Sequence, residues 1–193
     1  MKTSVAQHVQ DSIEVKHRIL TDLTPQIEKA AELLSDRLKK GHKLFFCGNG
    51  GSASDSQHLA AEFVGRYEKE RRALAAIALT TDTSILTAVG NDYGFERVFE
   101  RQIEALGQKG DVLVALSTSG RSKNVLRAVS RAKEIGLYTI GFTGGSGGEL
   151  KTAVDLAIVV PSKKTSRIQE SHIMIGHILC EFVDNTLLGN GTQ

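Results

Sequence analysis

Short runs that are wholly apolar alternate along this chain with longer stretches in which apolar residues recur every three or four positions. Buried strands and amphipathic helices are therefore expected in turn. Lys43–Cys47 (KLFFC), Ala73–Leu79, Val112–Leu116, Leu137–Phe142 and Leu156–Val160 read as five strands. Between them the spacing predicts helices from Val5 to about Leu20, from Thr24 as cap and Pro25 to Gly41, and after the glycine-rich turn GNGGS. Further helices are expected through Ile85, Leu86 and Val89, over Phe95–Leu106 with Val98, Phe99, Ile103 and Leu106 inward, over Ser122–Ile135 ended by Gly136, and over Thr165–Leu188. Gly90, Asn91, Asp92 and Gly94 are expected to break the fourth of these helices. Strands without polar alternation are covered on both faces, which gives an α/β fold: a three-layer α-β-α domain with a central parallel sheet of about five strands. Ligands in such a fold bind beyond the carboxyl ends of the strands.

Two helices carry more or less apolar surface than one chain can use. The first has only a narrow stripe, Val9, Ile13 and Ile19, and should pack against a partner; residues 1–24 are assigned to oligomer packing. The last has Ile168, Ile173, Met174, Ile175, Ile178, Leu179, Phe182, Val183 and Leu187 on more than one face, which also argues for an oligomer. The charged run YEKERR, Tyr67–Arg72, reads as a solvated connection, and TGGSGG, Thr143–Gly148, as a mobile one.

With 193 residues the chain reads as one domain, 1–193, with no room for an added helix-turn-helix module. A charged fraction of 24% and a formal net charge of +2 exclude nucleic acid and anionic membrane as main partners. Cys47 and Cys180 have neither metal spacing nor a disulfide framework and read as buried thiols. The polar N-terminus and the lack of a long apolar run indicate a cytoplasmic protein without a membrane span.

The candidate chemistry lies at two strand ends. After Val112–Leu116, the hydroxyls of Ser117, Thr118, Ser119 and Ser122 surround Gly120 where a helix begins. There the first N–H groups lack intrahelical partners and the helix dipole favours an anion, so phosphate fits; an ordinary Ser/Thr cap is the alternative. After Lys43–Cys47, Gly48, Gly50 and Gly51 allow close approach, while Asn49 and Ser52 supply hydrogen-bonding groups suited to a sugar phosphate. His58 and Glu62 share a helix face, with Arg66 one turn further on, as a metal or catalytic group or as a satisfied polar pair. Asn91 and Asp92 are turn formers or substrate contacts. Gln169, Glu170, His172 and His177 are costly in so apolar a helix unless bonded or functional.

The segments CGNGGSASDSQHLAAEFVGR, GNDYGFE, LSTSGRSKN and SRIQESHIMIGHILCEFVDNTL together resemble the sugar isomerase (SIS) domain family, from about residue 25 onward. The resemblance implies a flavodoxin-like SIS domain in a homotetramer with active sites at subunit interfaces. It further implies conversion of sedoheptulose 7-phosphate to D-glycero-D-manno-heptose 7-phosphate for heptose-containing lipopolysaccharide or other surface glycans. By the same resemblance Ser117, Thr118, Ser119 and Ser122 hold the phosphate, and Asn49, Gly50, Gly51, Asn91 and Asp92 touch the sugar. His58, Glu62, Gln169 and His177 match zinc ligands, one ion per subunit, and Glu62 and His177 match the acid/base pair. Gln169 and His177 lie about 12 Å apart along one helix, so the helix start unwinds or the ligands come from different subunits. Ser166 stands where some members have aspartate. A non-catalytic relative that binds the replication initiator DnaA ends in a similar DNTL stretch, here Asp184–Leu187, but Glu62 and His177 favour the enzyme over such an adaptor or a phosphosugar-binding regulator.

Overall fold

The computed structural model describes residues 4–189; residues 1–3 and 190–193 of the expected 1–193 domain lie outside them. Helices α1 (Val5–Asp22) and α2 (Thr24–Lys39) precede β1 (Leu44–Cys47), α3 (Gly51–Val64), β2 (Ala76–Ala78) and α4 (Thr83–Tyr93). A 3-10 turn, Phe95–Arg97, leads into α5 (Val98–Leu106), β3 (Val112–Leu116), α6 (Lys123–Ile135), β4 (Tyr138–Gly144), α7 (Leu150–Ala153), β5 (Leu156–Val160) and α8 (Thr165–Leu188). All strand pairs are parallel, in the order β2-β1-β3-β4-β5. The order reverses between β1 and β3, so the turns that follow these two strands face each other at the switch point where such sheets bind ligands.

The strands are largely apolar because each face of the sheet has its own core; Thr139 and Thr143 are the buried polar residues of β4. Leu44, Phe46, Val112, Val114 and Phe142 point into a core shared with α1, α2, α3 and α8. Phe45, Cys47, Leu113 and Ala115 point into the opposite one with α5, α6 and α7. Both cysteines are free and buried, and burial pushes each thiol up to about 12.

Several local expectations change. The second strand keeps only Ala76–Ala78, the three residues in register with Leu44–Phe46 of β1. Helix α4 runs through Gly90, Asn91 and Asp92 and stops at Gly94, whose φ of +88° suits glycine. Leu106 is exposed rather than inward. Thr24 is the first residue of α2 rather than its cap, and its hydroxyl donates to the carbonyl of Leu20. The TGGSGG connector is packed: Thr143 and Gly144 extend β4, Gly147 N–H donates to Gly144 O, and Leu150 N–H donates to Gly120 O at 3.0 Å.

The YEKERR connection is not wholly solvated. The Arg71 side chain is buried, pairs with buried Asp184 of α8 at 2.5 Å, and donates to the carbonyls of Glu62, Phe63, Gly65 and Arg72. It thereby closes the carboxyl end of α3, where carbonyls lack intrahelical donors, and ties that end to α8.

His172 is a core residue. Its Nε2 lies 3.1 Å from the Thr143 carbonyl, and burial lowers its pKa from 6.5 to about 4. Because the folded value lies below the unfolded one, the unfolded chain binds the extra proton between these pH values. Stability contributed by neutral His172 is therefore complete above pH 6.5 and is lost as pH falls toward 4, by about 3 kcal/mol. Urea unfolding at pH 7 and pH 4.5 should show this loss, and His172→Gln should reduce the difference; an unchanged difference would contradict the assignment.

Candidate active site

The glycine turn and the hydroxyl turn are joined directly. Asn49 and Asn124 exchange two side-chain hydrogen bonds of 2.8 Å each, which fixes the loop after β1 against the start of α6. Asn124 was not among the residues singled out in the sequence; only its place beside the serines marks it. Ser122 is the N-cap residue of α6, but its side chain makes no capping bond. Its Oγ lies instead 3.0 Å from Ser117 Oγ. The ordinary cap is thus not formed; Asn124 Oδ1 accepts from Val125 N–H at 3.0 Å, and the N–H groups of Lys123 and Asn124 before it keep their capacity for an anion. Thr118 and Ser119 continue the turn, with Ser119 half turned back to accept from Arg121 N–H at 3.3 Å.

Helices α3 and α8 carry the titratable groups. They approach closely because Gly176 faces Leu59: a Cβ there would lie 2.5 Å from Leu59 Cδ2. One residue on, His177 Nε2 lies 3.0 Å from His58 Nε2, and His58 Nε2 lies 3.2 Å from Glu62 Oε1. The Tyr67 ring centroid lies 5.7 Å from that of His177, with the rings tilted by 33°; within the charged run nothing marks Tyr67 for this contact. The ligand atoms of His58, Glu62 and His177 all lie within 4.8 Å of one another. Two imidazole nitrogens and a carboxylate oxygen at that separation fit a zinc ion, which accepts this donor set and leaves a position for a further ligand.

The other predicted residues are placed differently. Gln169 lies over the first turn of α3, where a Cβ on Gly51 would come within 1.8 Å of its Nε2. That is seven residues, about 10 Å, before His58 along the helix, so one chain brings together three of the four expected ligands. The Arg66 guanidinium lies beside Glu70 at 3.8 Å and the carbonyl of Glu68. Asn91 and Asp92 are exposed on the last turn of α4 and bonded to each other at 2.8 Å. Gly50 is the N-cap of α3, and Ser52 is buried just behind it.

A five-stranded parallel sheet with a hydroxyl turn at its switch point, and a carboxylate–imidazole cluster across α3 and α8, makes this a three-layer α/β domain with groups suited to an anion and to a metal. Residues 7–144 match the SIS domain family, and the chain belongs to it. Within that family it is similar to phosphoheptose isomerases. That of Clostridium acetobutylicum is 51% identical over 191 residues, covering 98% of this chain and 97% of the relative. That of Campylobacter jejuni serotype O:6 is 59% identical over 162 residues, covering 84% and 87%. The solved phosphoheptose isomerase structure from Neisseria gonorrhoeae superposes with a TM-score of 0.89 at 47% identity, covering 94% of this chain and 97% of the other.

Proposed function

We propose that this chain is an aldose–ketose isomerase that converts sedoheptulose 7-phosphate to D-glycero-D-manno-heptose 7-phosphate for heptose-containing surface glycans. The observation that carries the proposal is the Glu62, His58 and His177 cluster across α3 and α8, in a domain whose hydroxyl turn leaves Ser122 free of any cap on α6. The adaptor alternative rests on the DNTL ending, but Asp184 in that ending is committed to Arg71 and Asn185 accepts from Lys69, so both serve the fold.

Isomerisation moves a carbonyl from C2 to C1. Glu62 removes a proton from C1 of the ketose, giving the enediol(ate), and returns a proton to C2; His177 carries protons between the C2 and C1 oxygens. Ser117, Thr118, Ser119 and Ser122 with the start of α6 hold the phosphate, and Asn49, Gly50, Gly51 and Ser52 orient the sugar. Arg66, Asn91, Asp92 and Gln169 complete the substrate site from across subunit boundaries. His58, Glu62 and His177, with Gln169 from another subunit, would hold one zinc ion per subunit, which when bound supplies Lewis-acid stabilisation of the developing oxyanion.

Exposed apolar side chains support a homotetramer, with α1 as a packing element. Val9, Ile13 and Leu20 on α1, Tyr93 and Phe95 after α4, and Phe182 on α8 are all exposed in the single chain. No helix among the described residues is long and apolar enough to cross a membrane, which is consistent with work in the cytoplasm on a phosphorylated sugar.

Dialysis against a chelator should abolish turnover of sedoheptulose 7-phosphate, and zinc should restore it at one ion per subunit by elemental analysis. Full activity in metal-free protein would remove zinc from the account and leave the acid/base pair.

A further inference from the structure

On the far side of the hydroxyl turn, between it and the loops after β4 and β5, lies a cavity of about 240 Å³. Thr118, Ser119, Arg121, Ser146, Lys163 and Thr165 supply its polar lining, and no carboxylate takes part. The basic residues nearby differ in their commitments. Lys164 pairs with Asp11, Arg167 with Glu170, and Arg18 donates to the Pro161 carbonyl. Among the described residues no ion pair engages Arg121 or Lys163, although both border the cavity. Thr165 opens α8, a helix of 24 residues whose N-cap, Lys164, makes no side-chain capping bond. Its first N–H groups and its positive dipole end therefore add to the same field.

Two uncommitted cations, four hydroxyls and an uncapped helix start around one cavity favour a compact dianion. The hydroxyls proposed to hold the substrate's phosphate carry no charge of their own, and Thr118 and Ser119 are shared between that turn and this cavity. We propose that Lys163 and Arg121 are phosphate-binding residues, which close on the phosphate monoester from the side opposite α6 and supply its countercharge. This deepens the isomerase reading and rests on it for the identity of the ester. The contacts are made to a group remote from C1 and C2 that carries the same charge in bound substrate and transition state; as uniform binding they belong in KM rather than in kcat.

The test compares wild type with Lys163→Met, Lys163→Arg and Arg121→Met. Lys163 and Arg121 are exposed in the single chain, so the variants should fold, and circular dichroism checks that they do. The measurements are KM and kcat for sedoheptulose 7-phosphate, and the dissociation constant of inorganic phosphate by calorimetry at fixed ionic strength. Lys163→Met and Arg121→Met should each raise KM and weaken phosphate binding in parallel by about tenfold or more, with a much smaller change in kcat, and Lys163→Arg should recover most of the loss. KM and phosphate affinity within twofold of wild type in both methionine variants would overturn the proposal. Phosphate binding that weakens while KM stays constant would also overturn it, by placing the anion apart from the substrate. If wild type turns over no sedoheptulose 7-phosphate, the isomerase reading fails; phosphate binding then decides the role of these cations by itself, its loss in the variants supporting the site and its persistence refuting it.

Discussion

Glu62→Gln is expected to lower turnover of sedoheptulose 7-phosphate by about 10²–10⁴-fold, the range a positioned general base contributes. The amide has nearly the same shape as the carboxylate and Glu62 is partly exposed, so the fold should tolerate it. What disappears is the ability to accept a proton from carbon. Stopped assays of purified variant against wild type measure the loss, with zinc content determined on the same samples because Glu62 is also a proposed ligand. A variant that keeps its zinc and loses turnover assigns the loss to proton transfer. Activity above about one tenth of wild type would remove Glu62 as the base.

The second large effect concerns stability. Arg71→Met leaves Asp184 as a buried carboxylate without its cation and strips a donor from three carbonyls at the end of α3, those of Glu62, Phe63 and Gly65, and from that of Arg72. Removing one partner of a buried pair costs about 3–5 kcal/mol. For a chain of this length that is a fall in melting temperature of about 10 °C. The double variant Arg71→Met with Asp184→Leu should recover part of the loss, since no charge is then stranded, and a thermodynamic cycle over the four proteins measures the coupling. A melting temperature within 2 °C of wild type for Arg71→Met would show that the pair adds little. As Arg71 also fixes the end of α3 to α8, the single variant should loosen the meeting of His58 and Glu62 with His177.

These two residues illustrate what the amino-acid pattern reveals and what it hides. Glu62 is visible because it repeats at helical spacing from His58 just after a glycine turn. The strands β1 and β3 are equally plain because burial on both faces leaves an unbroken apolar run; β5 keeps such a run although only alternate residues are fully buried, and α8 shows its apolar residues at helical spacing. Arg71 is hidden because a charged run in a connection ordinarily faces water; only the tertiary arrangement, which places Asp184 opposite it, makes burial possible. Asn124 and Tyr67 are missed for a similar reason, since each acts on a partner far away in sequence, Asn49 and His177. Gly90 and Asn91 look like a helix break, yet α4 carries on through them, because neither residue is decisive until Gly94 with its positive φ. The ligand set is divided by geometry: eight residues of helix separate Gln169 from His177, and the structure keeps that separation, with Gln169 at Gly51 and His177 at His58.

The most direct test of the isomerase account is to incubate purified wild-type protein with sedoheptulose 7-phosphate in D₂O and follow the sugar by NMR. Proton transfer through an enediol(ate) on a partly solvent-exposed carboxylate predicts the aldose 7-phosphate with deuterium at C2. No conversion would contradict the proposed activity, whereas a C2 hydrogen derived wholly from C1 would contradict only the exchange of the Glu62-bound proton with solvent before it is returned.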